Sequence, residues 1–234
     1  GNEKYRRHRR HAHSGRIADH LQFEYKAMLN VGLTGGIACG KSTVANMLVR
    51  HGACLLDMDK ITHELQEPEK PAWKEIVDSF GTEILNADNR INREKLGRIV
   101  FGDNAKLKVL NKIVHPYVLR EWHKRVKEIR EKNVHAVVLS DVPLMFEEKL
   151  QYLFDLTLLV LISPEEQIQR LMARSGLTQE EAQKRLNSQM PIGEKIKLAD
   201  IVIDNRGTFP ATEEIVGNVW RELLKREETK RDNP

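Results

Sequence analysis

Residues 32–43 read GLTGGIACGKST. An apolar run enters from Met28, breaks into Gly35 and Gly36, and gives way to Gly40, Lys41, Ser42 and Thr43. Positions 35–42 fit the pattern G-x-x-x-x-G-K-[ST], whose glycines let the chain curl until successive N–H groups point inward. A helix opening at Lys41 would add its unpaired N–H groups and the positive end of its dipole. A lone ammonium at Lys41 suits the β- and γ-phosphates of a nucleoside triphosphate, and the Ser42 hydroxyl suits Mg²⁺. Gly35, Gly36, Ala38, Cys39, Gly40, Lys41, Ser42 and Thr43 are therefore candidates for holding the nucleotide. The flanks agree, with a strand before the loop and, after it, Val44, Met47 and Leu48 on one helical face and Gly52 as a stop.

Outward from this loop, apolar runs of strand length recur at 28–34, 53–57, 135–141, 156–163 and 200–204. They are continuous rather than alternating, as for strands buried on both faces. Helical patterns lie between them. Ser163, Pro164 and Glu166 predict a capped helix start, and Thr178 with Glu181 a second one after Gly176, both read as capping boxes. Ile215, Val219, Trp220, Leu223 and Leu224 predict a closing amphipathic helix. Alternating strands and helices give an α/β class with a parallel five-stranded sheet. Residues 60–132 break the alternation with helical patterns alone, so a helical lobe is expected there. The division read is a core over 28–59 and 133–234, the lobe over about 60–132, and a short helical lid over about 164–188.

The formal charge of +4 sits entirely in residues 1–27, which hold seven Lys/Arg against three Asp/Glu. Residues 28–234 balance at 31 of each sign. The body is thus no polyanion binder by net charge, and a nucleic-acid partner is not expected. Residues 1–27 lack a helical or strand period and read as a disordered basic extension, either a functional arm or upstream sequence. No cleavable leader and no membrane span are expected. Two cysteines, Cys39 and Cys54, fit a reducing cytoplasmic setting rather than a disulfide scaffold. Cys39 lies beside a helix N-terminus, which can lower a thiol pKa, although many small side chains would serve in a loop that works through its backbone.

A phosphate loop alone does not separate a kinase from a GTPase or a motor. Asn111-Lys112-Ile113-Val114 lacks the carboxylate a guanine-reading motif needs. Asp141 is followed by Val142-Pro143, with no obvious water activator. A helical lobe and an arginine-bearing helix point instead to a small-molecule kinase, whose lid expels water. The blocks VGLTGGIACGKSTVANML, LLDMDKI, INREKLGRIVF, LNKIVHPYV, SDVPLMFE, RLMAR, RLNSQMP and ADIVIDNRG resemble, in order and spacing, those of the dephospho-CoA kinase family over about 28–225. Pro68-Glu69 departs from a common glycine of that family, and the basic extension lies outside its pattern.

The resemblance implies ATP- and Mg²⁺-dependent phosphorylation of the ribose 3′-hydroxyl of dephospho-CoA, giving CoA and ADP. The alternative is a phosphate-loop kinase for another small acceptor such as a nucleoside. A regulatory ATP binder is a third reading, but it needs no acceptor-facing carboxylate. Asp59, past strand two at the carboxyl edge of the sheet, is the candidate to align the hydroxyl or take its proton; the plainer reading is a helix cap. Asp57 reads as a cap or a supporting group. Asp141 is a candidate Mg²⁺ partner through water, or a structural acidic turn. Arg170 and Arg174 share a helix face, and guanidinium groups suit phosphate; Arg174 is favoured as the catalytic lid arginine and Arg185 is an alternative member. A solvated face is the plainer reading for Arg170 and Arg174, and a surface salt bridge for Arg185. Lys41 completes the catalytic set. His115, Phe80 and Leu96, with Phe101 and Tyr117, are candidates for the acceptor groove, against an ordinary role in packing. Asn205-Arg206-Gly207 is a candidate adenine contact or a plain turn. No Cys/His spacing suggests zinc.

Overall fold

The computed structural model describes residues 28–232; the basic extension read over 1–27 lies outside them. The strands are β1 (Leu29–Gly35), β2 (Cys54–Asp57), β3 (Val137–Asp141), β4 (Leu156–Leu161) and β5 (Ile201–Asp204), in the order β2-β3-β1-β4-β5. β1 pairs in parallel with β3 and β4, and β4 with β5. Every residue of β1 and β3 is buried, whereas β2 and β5, at the sheet's edges, alternate toward solvent. That contrast is why the central runs are uninterruptedly apolar. The chain leaves β1 for one side of the sheet and later returns through β4 on the other. The carboxyl end of β1 is therefore the switch point where open α/β sheets hold ligands.

The helices, in chain order, are α1 (Lys41–His51), α2 (Met58–Leu65), α3 (Pro71–Phe80), α4 (Arg93–Phe101), α5 (Asn104–Lys132), α6 (Pro164–Ser175), α7 (Gln179–Asn187), α8 (Ile192–Leu198) and α9 (Phe209–Asp232). α1 buries Val44, Ala45, Met47 and Leu48, the stripe expected of a 3.6-residue period. It joins the sheet and the Val216, Val219 and Leu223 face of α9 in one apolar core. Fully burying each such Val or Leu stabilises by about 1.5–3 kcal/mol. Trp220 also stacks on His51, ring centroids 6.1 Å apart.

Backbone contacts divide the chain into two compact units, 28–55 with 129–232, and 56–128. The second unit is helical apart from the last two residues of β2 and an isolated antiparallel bridge, Leu85 to Ile91. Its buried side chains include Ile61, Ile76, Ile84, Leu96, Trp122 and Val126. Arg125 binds both Glu64 and Glu121, which raises its pKa through the Glu64 hydrogen bond first. α5 continues through Pro116 although proline supplies no N–H to the preceding turn. Among the described residues no helix is long and apolar enough to cross a membrane.

The two expected lid caps differ in detail. Thr178 and Glu181 form the full reciprocal box on α7. At α6 the Ser163 hydroxyl accepts the Glu166 N–H at 3.2 Å. The Glu166 carboxylate, however, faces that hydroxyl and Arg170, at 3.4 and 3.7 Å, rather than the Ser163 backbone N–H. The nearby guanidinium competes for the carboxylate, so α6 has a one-sided cap.

Candidate active site

β1 ends at Gly35 and α1 begins at Lys41, so residues 36–40 form the loop between them. Gly40 sits at φ 85° as the cap of α1, and Ala38 at φ 57°. Left-handed backbone at a residue carrying a Cβ is strained, and such strain gathers at ligand loops. A Cβ on Gly40 would stand 2.4 Å from the Asn205 amide nitrogen and 3.5 Å from an Arg170 guanidinium nitrogen. The side chain of Arg170 therefore reaches the loop.

Lys41 Nζ pairs with Asp141 Oδ1, with only 16% and 12% of the two side chains exposed. The sheet register explains the meeting. Asp141, last in β3, lies beside Leu33 of β1, two residues before the loop opens. Ser42 and Thr43 are exposed in the first turn of α1. A hydroxyl and a carboxylate flanking a phosphate loop are the hard oxygen donors that Mg²⁺ takes. No group of three or more His, Cys, Asp or Glu among the described residues is arranged to hold a metal on its own.

Three buried or half-buried amides back the loop, and the first two were not singled out from sequence. Gln167 Nε2 donates to the Ile37 carbonyl at 2.6 Å, and the Ile37 N–H donates to Gln189 Oε1 at 2.8 Å. Asn205 Nδ2 donates to the Cys39 carbonyl at 2.8 Å, while its Oδ1 accepts from the Thr212 hydroxyl at 2.8 Å. Asn205, read from sequence as a candidate adenine contact, thus spends its side chain on the loop itself. Arg206 turns instead to Asp204 and holds that carboxyl below the usual carboxylate range. The signal for Gln167 was present in the sequence. It lies four residues before Leu171, so an amide occupies the apolar stripe of α6, and both are buried.

Cys39 is 2% exposed, and burial pushes its thiol pKa up. The Lys41 N–H and the charges of Lys41 and Lys195 oppose the rise without reversing it. The activating effect of the helix N-terminus anticipated for this thiol is therefore outweighed by desolvation.

Arg174 is exposed in the last turn of α6, and Arg185 is exposed in α7. The remaining candidates belong to the 56–128 unit. Asp57 caps α2 by accepting the Lys60 N–H at 2.9 Å, which leaves Asp59 exposed in the first turn. Leu96 is 5% exposed and so is a core residue of its unit. Phe80 and His115 are half-buried, and the Tyr117 hydroxyl donates to Glu75.

A parallel sheet whose central strand runs into a glycine loop and a Lys-Ser helix start, with the lysine paired to the acid of the neighbouring strand, defines a phosphate-loop nucleotide-binding fold. Comparison with known proteins narrows the class. A sequence model of the family described as Dephospho-CoA kinase matches residues 29–211. The Dephospho-CoA kinase of Syntrophus aciditrophicus (strain SB) is 50% identical over 205 residues, spanning 88% of this chain and 87% of its own. That of Carboxydothermus hydrogenoformans is 45% identical over 201 residues, spanning 84% and 97%. Among solved structures, TT1252 from Thermus thermophilus superposes with a TM-score of 0.72 at 35% identity, covering 83% of this chain and 97% of that one. The chain belongs to the dephospho-CoA kinase family.

Proposed function

We propose that this chain transfers the γ-phosphoryl group of ATP to the ribose 3′-hydroxyl of dephospho-CoA, releasing CoA and ADP. The observation that carries this reading is the backed phosphate loop, with Lys41 beside Asp141, in a chain 50% identical to a dephospho-CoA kinase. The loop N–H groups and Lys41 bind the β- and γ-phosphates. Incoming phosphate competes with Asp141 for the Lys41 ammonium. Arg170, which reaches Gly40, and Arg174 add guanidinium charge where the transferred group's negative charge spreads. Ser42 and Asp141 would hold Mg²⁺. The ion, when bound, neutralises phosphate charge during transfer. Asp59 aligns the 3′-hydroxyl and accepts its proton as the oxygen–phosphorus bond forms and the bond from Pγ to the β,γ-bridging oxygen breaks. His115 and Phe80 belong to the acceptor groove in this reading. Leu96 supports it from the core of its unit.

The test is an acceptor comparison. Purified protein is incubated with Mg-ATP and either dephospho-CoA or nucleosides, and the acceptors are weighed by mass spectrometry. A gain of one phosphate on dephospho-CoA alone supports the reading. Phosphorylated nucleosides with unchanged dephospho-CoA overturn it.

A further inference from the structure

We propose that Gln189, seated by the buried Glu147–Lys195 ion pair, is a positioning residue that sets the phosphate loop in its binding shape before nucleotide arrives. This rests on the reading of residues 35–43 as a nucleotide cradle.

The geometry begins at Ile37. Its N–H donates to Gln189 Oε1 at 2.8 Å, and its carbonyl accepts from Gln167 Nε2 at 2.6 Å. Two glutamines from opposite ends of the lid segment therefore grip the one residue between Gly36 and Ala38. With its N–H committed outward, Ile37 is not a phosphate donor. It is a fixed post from which the strained Ala38 and the left-handed Gly40 follow. The grip also explains Gly36, where a Cβ would stand 2.2 Å from the Gln167 amide nitrogen.

Gln189 lies in the turn after α7, a segment that needs its own anchor. The next N–H, Met190, donates to Glu147 Oε1 at 3.1 Å. Glu147 Oε1 also lies 2.7 Å from Lys195 Nζ, and the Lys195 side chain is 1% exposed. The pair is not saturated by hydrogen bonds. Glu147 Oε2 is buried without a partner, and the Lys195 ammonium meets the carboxylate as an ion rather than in hydrogen-bonding geometry. Burying an ammonium this completely is costly, and apolar replacement of such pairs is often neutral for stability. A geometric use fits such a pair. Glu147 ends the DVPLMFE segment that starts at Asp141, so one carboxylate ties the Asp141 segment to the Gln189 turn and, through Gln189, to Ile37. The Lys195 charge also reaches Cys39 inside the loop.

The test uses the full chain and Mg-ATP as the probe, by titration calorimetry together with steady-state kinetics. Gln189→Met removes the acceptor of the Ile37 N–H. It is expected to weaken Mg-ATP binding and raise KM for ATP by about tenfold. At saturating ATP its kcat should stay within roughly threefold, because the loop still closes once the nucleotide is bound. The double variant Glu147→Leu/Lys195→Met should fold, as its thermal unfolding will show, and should weaken Mg-ATP binding to a similar degree. Adding Gln189→Met to that background should cost little more, since all three residues act as one unit. Wild-type Mg-ATP affinity in Gln189→Met overturns the proposal. So does a full additional loss in the triple variant, which would make the pair independent of Gln189. Failure of the unaltered chain to bind Mg-ATP is a different result, and it overturns the cradle reading itself.

Discussion

Asp59 and Cys39 are two reactive side chains whose surroundings assign them opposite fates. Asp57 takes the capping role on α2 by accepting the Lys60 N–H, and Asp59 stays exposed in the same turn. In the proposed reaction this exposed acid serves the acceptor hydroxyl. Asp59→Asn should lower kcat by about 10²–10⁴ while the Kd for Mg-ATP changes by less than about threefold. Weakened ATP binding as the main effect, read by calorimetry, would contradict the assignment. Cys39 is walled in, and burial raises its thiol pKa. Less thiolate is then present at neutral pH than for a free cysteine. Its neutral form is the one folding favours. The stability it contributes is present below the ordinary value of 9.0 and is lost as pH rises through the higher folded value. Alkylation of native protein at neutral pH should mark Cys54, which is half-buried, before Cys39. Peptide mass mapping that found Cys39 modified first would contradict this. At this scale the loop and the helix start at Lys41 were legible, because glycines ahead of a Lys-Ser pair mark that turn by type and spacing. Gln167 showed only as an amide within the apolar stripe of α6, and Gln189 not at all, because an amide has no motif of its own and only the fold brings positions 37, 167, 189 and 205 together.

Helices α6 and α7 show what local sequence can and cannot encode. Thr178 and Glu181 sit in one turn, and their reciprocal bonds need no distant partner, so the box was readable in advance. At α6 the same spacing yields a one-sided cap, because Glu166 shares its carboxylate with Arg170. Ser163→Ala should cost about 1 kcal/mol in thermal or urea unfolding. No change would mean that Glu166 carries the helix start alone. The N–H and hydroxyl of Thr178 hold the Glu181 carboxyl below its ordinary 4.5. Its folded pKa is depressed, so the stability it supplies is present above 4.5 and is lost as pH falls through the lower folded value. The stability difference between wild type and Glu181→Gln should therefore be full at neutral pH and shrink in acid. A difference independent of pH would show that Glu181 acts by shape rather than charge.

For the whole molecule, the α/β class and all five strands were visible as apolar runs, most plainly β1, β3 and β4, because strands buried on both faces leave no alternation to misread. The order β2-β3-β1-β4-β5 was not written in any single segment, since it depends on which side of the sheet each crossover takes. That order places the carboxyl end of β1 at the switch point and Asp141 beside Leu33, which brings Lys41 and its acid together. The helical stretch between β2 and β3 was legible from the absence of strand patterns there; its helices run from Met58 to Lys132, and a compact unit spans 56–128. The central claim is that this arrangement delivers phosphate to an alcohol rather than to water. The most direct measurement is a rapid-quench single turnover with γ-labelled ATP, Mg²⁺ and dephospho-CoA, separating labelled CoA from free phosphate. The account predicts label on the ribose 3′-oxygen within the first turnover and almost none as free phosphate. Label released as inorganic phosphate, with dephospho-CoA unmodified, would contradict it.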